Sequence, residues 1–505
     1  MDRVEDAAKN LKFTAAGELV LALLKFASRR VFVVLLGKEY LGINGLFTDI
    51  LSLLSLAELG VGVSITYSLY GPAARGDTET IKSLMRLYRR AYQWIGMGVL
   101  AAGLSLAPFL TFFVKEMPEN VSNITLIYVL NVANTGVSYF FTYKATLLFV
   151  YQKKYIGAMI RAAVNVLAVA AQTAALFLTG NYLYYLFIAI GATFIQNAAI
   201  SMETDRLYPY LREKEIRPLP AKTVKEIRRN VGAMMLHRLG SALVFGTDNL
   251  LISKFAGVAI TGLYSNYTMI RNFLNIMIGA LFDILTPAMG NLTATETQKH
   301  RQAAFGRLNF FSAWLFGWMS ICLFCLYDPF IDIWLGGGYL LPRPAVVLIV
   351  VNFYMNSMRI PVVNTKSVLG LFWDDRFKPI PEAVLNLVIS VALVKRWGIT
   401  GVLAGTFVSI TALSFWIDPL VLYRHGLKLG VGNYFTRYFL YAAVTIAAGL
   451  LTGALCQTTD GTVFGFFLKT VFCLLVPNVV YLAAYCQTSE FRFLIHMAGT
   501  SLHRS

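Results

Sequence analysis

The sequence predicts an all-α integral membrane protein with about fourteen transmembrane helices. Hydrophobic residues make up 57% of the 505 residues, and the mean hydropathy is +0.61. Charged residues make up only 14%, whereas a soluble protein carries about a quarter. The apolar residues also form runs of about 20 or more, which is the length that a spanning helix needs.

Short polar connections separate these runs, and we take each run as one transmembrane segment. Several runs exceed about 25 residues, so tilted helices or cytoplasmic extensions are expected. The opening MDRVEDAAKNLKF is charged and polar, so we expect no cleaved signal peptide. The predicted segments are about 12–36, 41–71, 88–114, 121–150, 157–179, 182–205, 230–255, 258–291, 306–328, 343–371, 379–396, 399–422, 436–456 and 462–486.

Basic residues set the predicted orientation, because cytoplasmic loops collect lysine and arginine. With the N-terminus inside, the loop 206–229 alone places eight basic residues in the cytoplasm. Both termini are then cytoplasmic, and the net charge of +17 reflects topology rather than nucleic-acid binding. The outside keeps about six basic residues, namely Lys38, Lys115, Lys254, Arg343, Lys395 and Arg396.

Two stretches of the sequence resemble each other and predict an internal repeat. They are LLGKEYLGINGLFTDI (35–50) and ISKFAGVAITGLYSNY (252–267). Weak symmetry between halves is typical of transporters, whose substrate site lies between the repeats. An offset of 217 residues places Ile43, Gly45 and Leu46 on Ile260, Gly262 and Leu263.

The repeat and the segment count together predict the domain organisation. An N-lobe at 1–207 holds helices 1–6, and a basic cytoplasmic linker follows at 208–229. A C-lobe at 230–424 holds helices 7–12, and 425–505 holds helices 13–14 and a short cytoplasmic tail.

Charged residues inside the predicted segments are the main functional signal, since such residues usually line a wet cavity or pair with one another. On the first segment, Lys25 and Arg29 lie within about 40° of Glu18, while Arg30 points about 100° away from Arg29. Deep bases outnumber deep acids, which predicts an anionic ligand, and arginine suits phosphate because its planar fork donates two hydrogen bonds. The predicted substrate-binding residues are Lys25, Arg29, Arg30, Arg238, Arg271, Asn352, Asn356, Arg359 and Lys366, of which the last four form one stripe on the tenth segment.

Four acidic residues are predicted either to couple transport to Na⁺ or H⁺ or to serve structure: Glu18, Asp49, Glu58 and Asp248. The structural alternatives are specific. Glu58 beside Gly62 would support helix packing, and Asp49 and Asp248 would neutralise nearby arginines. Lys366 lies near a cytoplasmic end, where it would extend its amine to the interface.

The sequence predicts neither an enzyme nor a cofactor or metal site. It contains no P-loop, metalloprotease, esterase or dinucleotide motif. Cys322 and Cys325 form a C-x-x-C pair, but no histidine or second cysteine pair accompanies it. The five cysteines (Cys322, Cys325, Cys456, Cys473 and Cys486) are therefore expected to fill apolar helices.

The phrases YLGINGLFTDILSLLSLAELGVG (40–62) and VFGTDNLLISKFAG followed by ITGLYSNYTMIRN (244–272) carry a family resemblance. With the predicted layout, the chain resembles, over its whole length, bacterial Wzx-type polysaccharide flippases of the multidrug/oligosaccharidyl-lipid/polysaccharide (MOP) exporter superfamily. The resemblance implies a MATE/MOP-like fold with two six-helix lobes around a cationic cavity, plus two C-terminal helices. It also implies that Arg29 and Arg30 stand where related lipid II flippases use arginines.

The resemblance further implies a function. The substrate would be an undecaprenyl-(pyro)phosphate-linked oligosaccharide, moved from the inner to the outer leaflet of a bacterial cytoplasmic membrane. Capsule or exopolysaccharide biosynthesis would use it, with membrane lipids and polysaccharide assembly proteins as partners and no nucleic acid. The alternative is a cation-coupled multidrug antiporter, which would want a net acidic cavity. A glycan polymerase is disfavoured because every predicted outer connection is about 15 residues or shorter.

Overall fold

The structure is a computed structural model that describes residues 2–493 except for 59–60, 115–117, 119, 152, 214–215, 222, 226, 228–230, 232–247, 296 and 372–376. Within these residues every regular element is helical, which confirms the predicted all-α fold class. Nine of the described helices are long and apolar enough to cross a membrane. The protein is a multi-pass membrane protein.

The principal helices are numbered in chain order, and shorter helical turns are given by residue range. All predicted segments except 230–255 lie largely on described helices, and of that segment the structure describes 231 and 248–255. The helices are α1 Asp2–Leu54, α2 Val61–Arg75, α3 Thr78–Leu106, α4 Ile124–Thr142, α5 Lys154–Thr179, α6 Tyr182–Leu207, α7 Asp248–Leu251, α8 Val258–Thr295, α9 Gln298–Leu335, α10 Arg343–Val368, α11 Pro379–Trp397, α12 Ile399–Ser409, α13 Gly432–Gln457 and α14 Val463–Tyr485.

The chain packs as two compact units, an amino-terminal unit of residues 1–265 and a carboxy-terminal unit of residues 266–505. The boundary falls inside α8, so the start of that helix belongs with the amino-terminal unit. The lobe limits expected from the sequence, at 207 and 230, stay a prediction.

In the amino-terminal unit, α1 packs against α5, and α4 packs against α3 and α6. Helices α5 and α6 form a hairpin because Gly180 adopts a positive φ of 60° and ends α5. The side chain of Asn181 then caps α6 by accepting a hydrogen bond from the amide of Leu183 at 2.8 Å.

Two glycines break the helices of the amino-terminal unit in nearly the same way. Gly37 interrupts α1 with φ 86° and ψ 179°, and Gly257 precedes α8 with φ 102° and ψ 159°. This backbone region is accessible almost only to glycine. The break at Gly37 also ends the first predicted segment within one residue of the expected position.

A second glycine follows each break by five residues, and the two turns contact each other reciprocally. A Cβ atom at Gly42 would lie 1.9 Å from the carbonyl oxygen of Val258, and one at Gly262 would lie 2.2 Å from that of Lys38. We call residues 37–42 and 257–262 the paired glycine turns. Their offset is 220 residues (257 − 37 and 262 − 42), three more than the offset of 217 that the similarity of the sequences predicts.

In the carboxy-terminal unit, α9 packs against α10, α13 and α14. The indole of Trp318 donates a hydrogen bond to the carbonyl of Cys473 at 2.9 Å and so joins α9 to α14. Helices α11 and α12 form a close hairpin, since a Cβ atom at Gly401 would lie 2.5 Å from the carbonyl oxygen of Leu393.

Candidate functional site

In the amino-terminal unit, Arg29 is a half-buried cation on the inner face of α1. Its guanidinium donates a hydrogen bond of 2.6 Å to the hydroxyl of Ser265 on α8. Tyr182 and Tyr185 of α6 lie beside it and stack on each other with ring centroids 5.6 Å apart. Phe32, one helical turn further along α1, meets both rings edge-on. The hydroxyl of Ser265 and the rings of Tyr182 and Tyr185 are thus the neighbours of the guanidinium.

The other predicted basic residues of α1 have different surroundings. Lys25 and Arg30 are exposed on this helix, whereas Arg29 is half-buried. The backbone of Glu18 belongs to α1, but its side chain lies outside the described residues. The predicted face of Glu18, Lys25 and Arg29 therefore stays a prediction.

Two of the predicted acids form hydrogen bonds within the amino-terminal unit. The carboxylate of Asp49 accepts a hydrogen bond from the amide of Asn249 at 2.6 Å. Glu58 accepts one from the hydroxyl of Tyr92, also at 2.6 Å, and Gly62 leaves room for that tyrosine. These contacts favour the helix-packing alternative for Glu58.

In the carboxy-terminal unit, the predicted stripe on α10 is present and its members are linked. The amide of Asn352 donates to the carbonyl of Leu403 at 3.0 Å, and that of Asn356 donates to the carbonyl of Asn352 at 3.0 Å. Arg359 donates to the side-chain oxygen of Asn356 at 3.2 Å. The polar face of α10 thus orients the guanidinium of Arg359.

Three cations converge on Asp418, a fully buried carboxylate in the helical turn Phe415–Val421. Arg359 donates to one carboxylate oxygen at 3.1 Å. The ammonium groups of Lys366 and Lys378 lie 2.8 Å and 2.7 Å from the other oxygen. We call Arg359, Lys366, Lys378, Asp418 and Glu382 the α10 charge cluster.

Glu382, at the start of α11, is the second acid of this cluster. It is buried, and one of its carboxylate oxygens lies 3.6 Å from the guanidinium of Arg359. That oxygen has no hydrogen-bond partner among the described residues. The described cluster therefore contains three cations and two carboxylates, which is only slightly basic.

This arrangement corrects two expectations. Arg359 and Lys366 have acidic neighbours in Asp418 and Glu382. The predicted excess of deep bases over deep acids did not include these two acids. Lys366 is 5% exposed and paired with Asp418, so its amine does not reach out to an interface. Chemically, the cluster holds fixed charges out of water, where each interaction is stronger than in solvent.

The remaining predicted residues are placed as follows. Arg271 on α8 is half-buried, Asn275 one turn later is exposed, and Asp248 at the start of α7 is half-buried. Arg238 lies outside the described residues.

Sequence reasoning missed Asp418, Lys378 and Glu382, although a signal for the first was present. Asp418 stands in the apolar stretch SFWIDPLVL, and a charge in such a stretch was the criterion that selected Arg359. Lys378 lies just before the predicted segment 379–396, and Glu382 lies in the first turn of that segment. Their partner on α10 could not be inferred from spacing.

Solved structures share this fold at low sequence identity. A structure of the lipid II flippase MurJ, in an inward closed conformation, matches with a TM-score of 0.65 and 12% identity, covering 95% of this chain and 99% of that one. An inward-facing multidrug resistance MATE family transporter of the MOP superfamily matches with a TM-score of 0.60 and 15% identity, covering 83% and 99%.

A MOP superfamily transporter from Pyrococcus furiosus, described as having a binding pocket of reverse polarity, matches with a TM-score of 0.54 and 14% identity, covering 83% of this chain and 96% of that one. No protein-family model and no curated protein matches the chain. At these identities the likeness establishes the fold, which is that of MOP-superfamily membrane transporters and flippases.

Proposed function

We propose that the protein is a flippase that moves an undecaprenyl-(pyro)phosphate-linked oligosaccharide from the inner to the outer leaflet of a bacterial cytoplasmic membrane. The protein would move the glycan across the membrane by alternating access, and basic side chains would bind the phosphate. The product would serve cell-surface polysaccharide biosynthesis, and both termini would face the cytoplasm.

The observation that carries this proposal is the presence of ordered basic groups within apolar helices of a chain that has the fold of a lipid II flippase structure. Arg29 lies against tyrosine rings in one unit, and Arg359 is oriented by α10 in the other. Half-buried cations in apolar helices are expensive in a membrane and usually mark a substrate path. A phosphate offers them the anionic, bidentate partner that arginine favours.

Mass spectrometry of lipids that co-purify with the protein tests the substrate directly. A polyprenyl phosphate or pyrophosphate that bears a short glycan is expected. Finding only bulk phospholipids, from cells that make the glycan, would contradict the proposal.

Variants test the role of the arginines. Arg29→Ala and Arg359→Ala should each weaken lipid-phosphate binding about tenfold to a hundredfold, the cost of a charged hydrogen bond, and surface glycan should fall. Arg206→Ala is the matched control, because its side chain is 79% exposed. Normal glycan export from both variants, at normal protein levels in the membrane, would refute the basic-site mechanism.

The cation-coupled multidrug antiporter remains the second candidate, and one observation favours it. Two buried carboxylates, Asp418 and Glu382, lie in the carboxy-terminal unit, and MATE transporters share the fold. Efflux of ethidium-like cations, abolished by Asp418→Asn without any change in surface glycan, would support this candidate over the flippase.

A further inference from the structure

Four of the five cysteines meet in the carboxy-terminal unit, although they lie far apart in the sequence. Cys325 comes from α9, Cys456 from the last turn of α13 and Cys473 from the middle of α14. The three sulfur atoms all lie within 4.8 Å of one another. Cys322, one turn before Cys325, places its thiol beside that of Cys473.

The site is buried and its surroundings are fixed. Cys325, Cys456 and Cys473 are 8%, 6% and 0% exposed. The carbonyl of Cys473 accepts hydrogen bonds from the indole of Trp318 at 2.9 Å and from the thiol of Cys322 at 3.8 Å. The α13–α14 hairpin is therefore held against α9 at the level of the thiols.

We propose that Cys325, Cys456 and Cys473 bind a zinc ion, with Cys322 positioned to supply a fourth thiolate. Structural zinc sites are four-coordinate, for example with four cysteines or with three cysteines and a histidine, and their zinc–sulfur distances of about 2.3 Å give sulfur–sulfur distances of about 3.8 Å. A contraction of about 1 Å, within reach of small side-chain rotations, brings the thiols to that geometry. The pair Cys322 and Cys325 on α9 therefore does have a second cysteine pair beside it, formed by Cys456 of α13 and Cys473 of α14.

Charge favours a divalent ion. Each thiol must lose its proton to water when it binds the metal, so three thiolates and Zn²⁺ form a centre with one negative charge. Lys469 lies one turn before Cys473 on α14, and its ammonium interacts electrostatically with the thiol of Cys456. On the same set of thiolates, monovalent Cu⁺ would leave one more negative charge than Zn²⁺ does, which is costly in an apolar setting.

The role that follows is structural. The ion would fasten the last two helices to α9, and it would do so independently of the transport proposal. Because metal binding to the folded state adds directly to folding free energy, zinc should stabilise the protein against unfolding.

The test uses the full chain, purified in detergent under reducing conditions and loaded with zinc chloride. About one zinc ion per chain is expected, and cobalt should give thiolate-to-metal charge-transfer absorption. Cys473→Ser should raise the Kd for zinc by more than about tenfold. Cys486→Ser is the matched control, because Cys486 is exposed and lies outside the site.

Four outcomes would overturn the proposal: no zinc in the wild type, equal zinc binding by Cys473→Ser, uptake of Cu⁺ but not Zn²⁺, or a disulfide within the cluster in peptides from cells. Should Cys473→Ser fail to fold, Cys325→Ser and Cys456→Ser replace it. Zinc should also raise the Tm of the wild type and of Cys486→Ser, and a Tm unchanged by zinc would contradict a structural site.

Discussion

Arg29 and Arg359 share one sequence signature, an arginine in an apolar helix, but their partners differ in kind. Arg29 donates to the hydroxyl of Ser265 and lies against tyrosine rings. Arg359 donates to the buried carboxylate of Asp418, which two lysines also contact. The difference shows that a deep arginine in the sequence does not reveal which kind of group its guanidinium contacts.

The largest effect is expected where the charges depend on one another. Asp418→Ala would leave Arg359, Lys366 and Lys378 without their shared carboxylate, and the free energy of unfolding should fall by about 3–5 kcal/mol. Unfolding of the purified protein in detergent measures it. Glu203→Ala is the control, since it removes only a surface pair with Arg206 at 3.5 Å and should cost less than about 1 kcal/mol. Equal losses from both variants would mean that the α10 charge cluster is not a coupled unit.

Arg29→Ala should have a smaller effect on stability. The variant loses the charged hydrogen bond to Ser265 and the contact with the ring of Tyr182, whereas Asp418→Ala removes a carboxylate that three cations contact. A loss of about 1.5–3 kcal/mol in unfolding free energy is expected. A loss as large as that of Asp418→Ala would show that the two arginines are equivalent after all.

Gly262→Ala should disturb the hydrogen bond between Arg29 and Ser265 indirectly, and it should not affect the α10 charge cluster. The added methyl group would collide with the carbonyl of Lys38, and Ser265 binds the carbonyl of Gly262 at 2.7 Å. Overpacking of this kind costs about 1–3 kcal/mol. Gly279→Ala on the same helix is the control, because nothing lies within 4 Å of a Cβ atom there. Thermal unfolding of both variants is the measurement, and equal Tm values would contradict overpacking at Gly262.

Ser265→Ala should have the smallest effect. It removes the hydroxyl that accepts from Arg29 and donates to the carbonyl of Gly262, and a loss of about 1 kcal/mol is expected because the guanidinium keeps its aromatic neighbours. A double-mutant cycle with Arg29→Ala measures the coupling between the two side chains. A coupling energy near zero would show that the hydrogen bond contributes nothing to stability.

The sequence predicted most of the helices and the shared polar face of α10. Apolar length located the membrane helices, and helical periodicity placed Asn352, Asn356 and Arg359 on one linked face, because both signals are local. It did not find Asp418 or Lys378 as partners, since a contact between separate helices leaves no periodic trace. The same limit hid the meeting of Cys325 with Cys456 and Cys473.

The repeat illustrates a further limit of the same kind. Sequence similarity pairs Gly45 with Gly262, whereas the backbone contacts and positive φ angles pair Gly42 with Gly262 and Gly37 with Gly257. Each turn requires glycine because glycine has no side chain and adopts a positive φ. The similarity of neighbouring residues is therefore a weaker guide to the repeat than the backbone angle, which only the structure reveals.

The paired glycine turns have a consequence for the rate of motion. Carbonyl groups of Lys38 and Val258 pack directly on the two glycines, so the glycines themselves have no side-chain rotamers to freeze when the contact forms or to release when it parts. Weak Cα–H···O contacts of about 0.5–1 kcal/mol each are the attraction at such a surface. Because the glycines have no side chains to repack, side-chain ordering should add little to the barrier to separating the two turns.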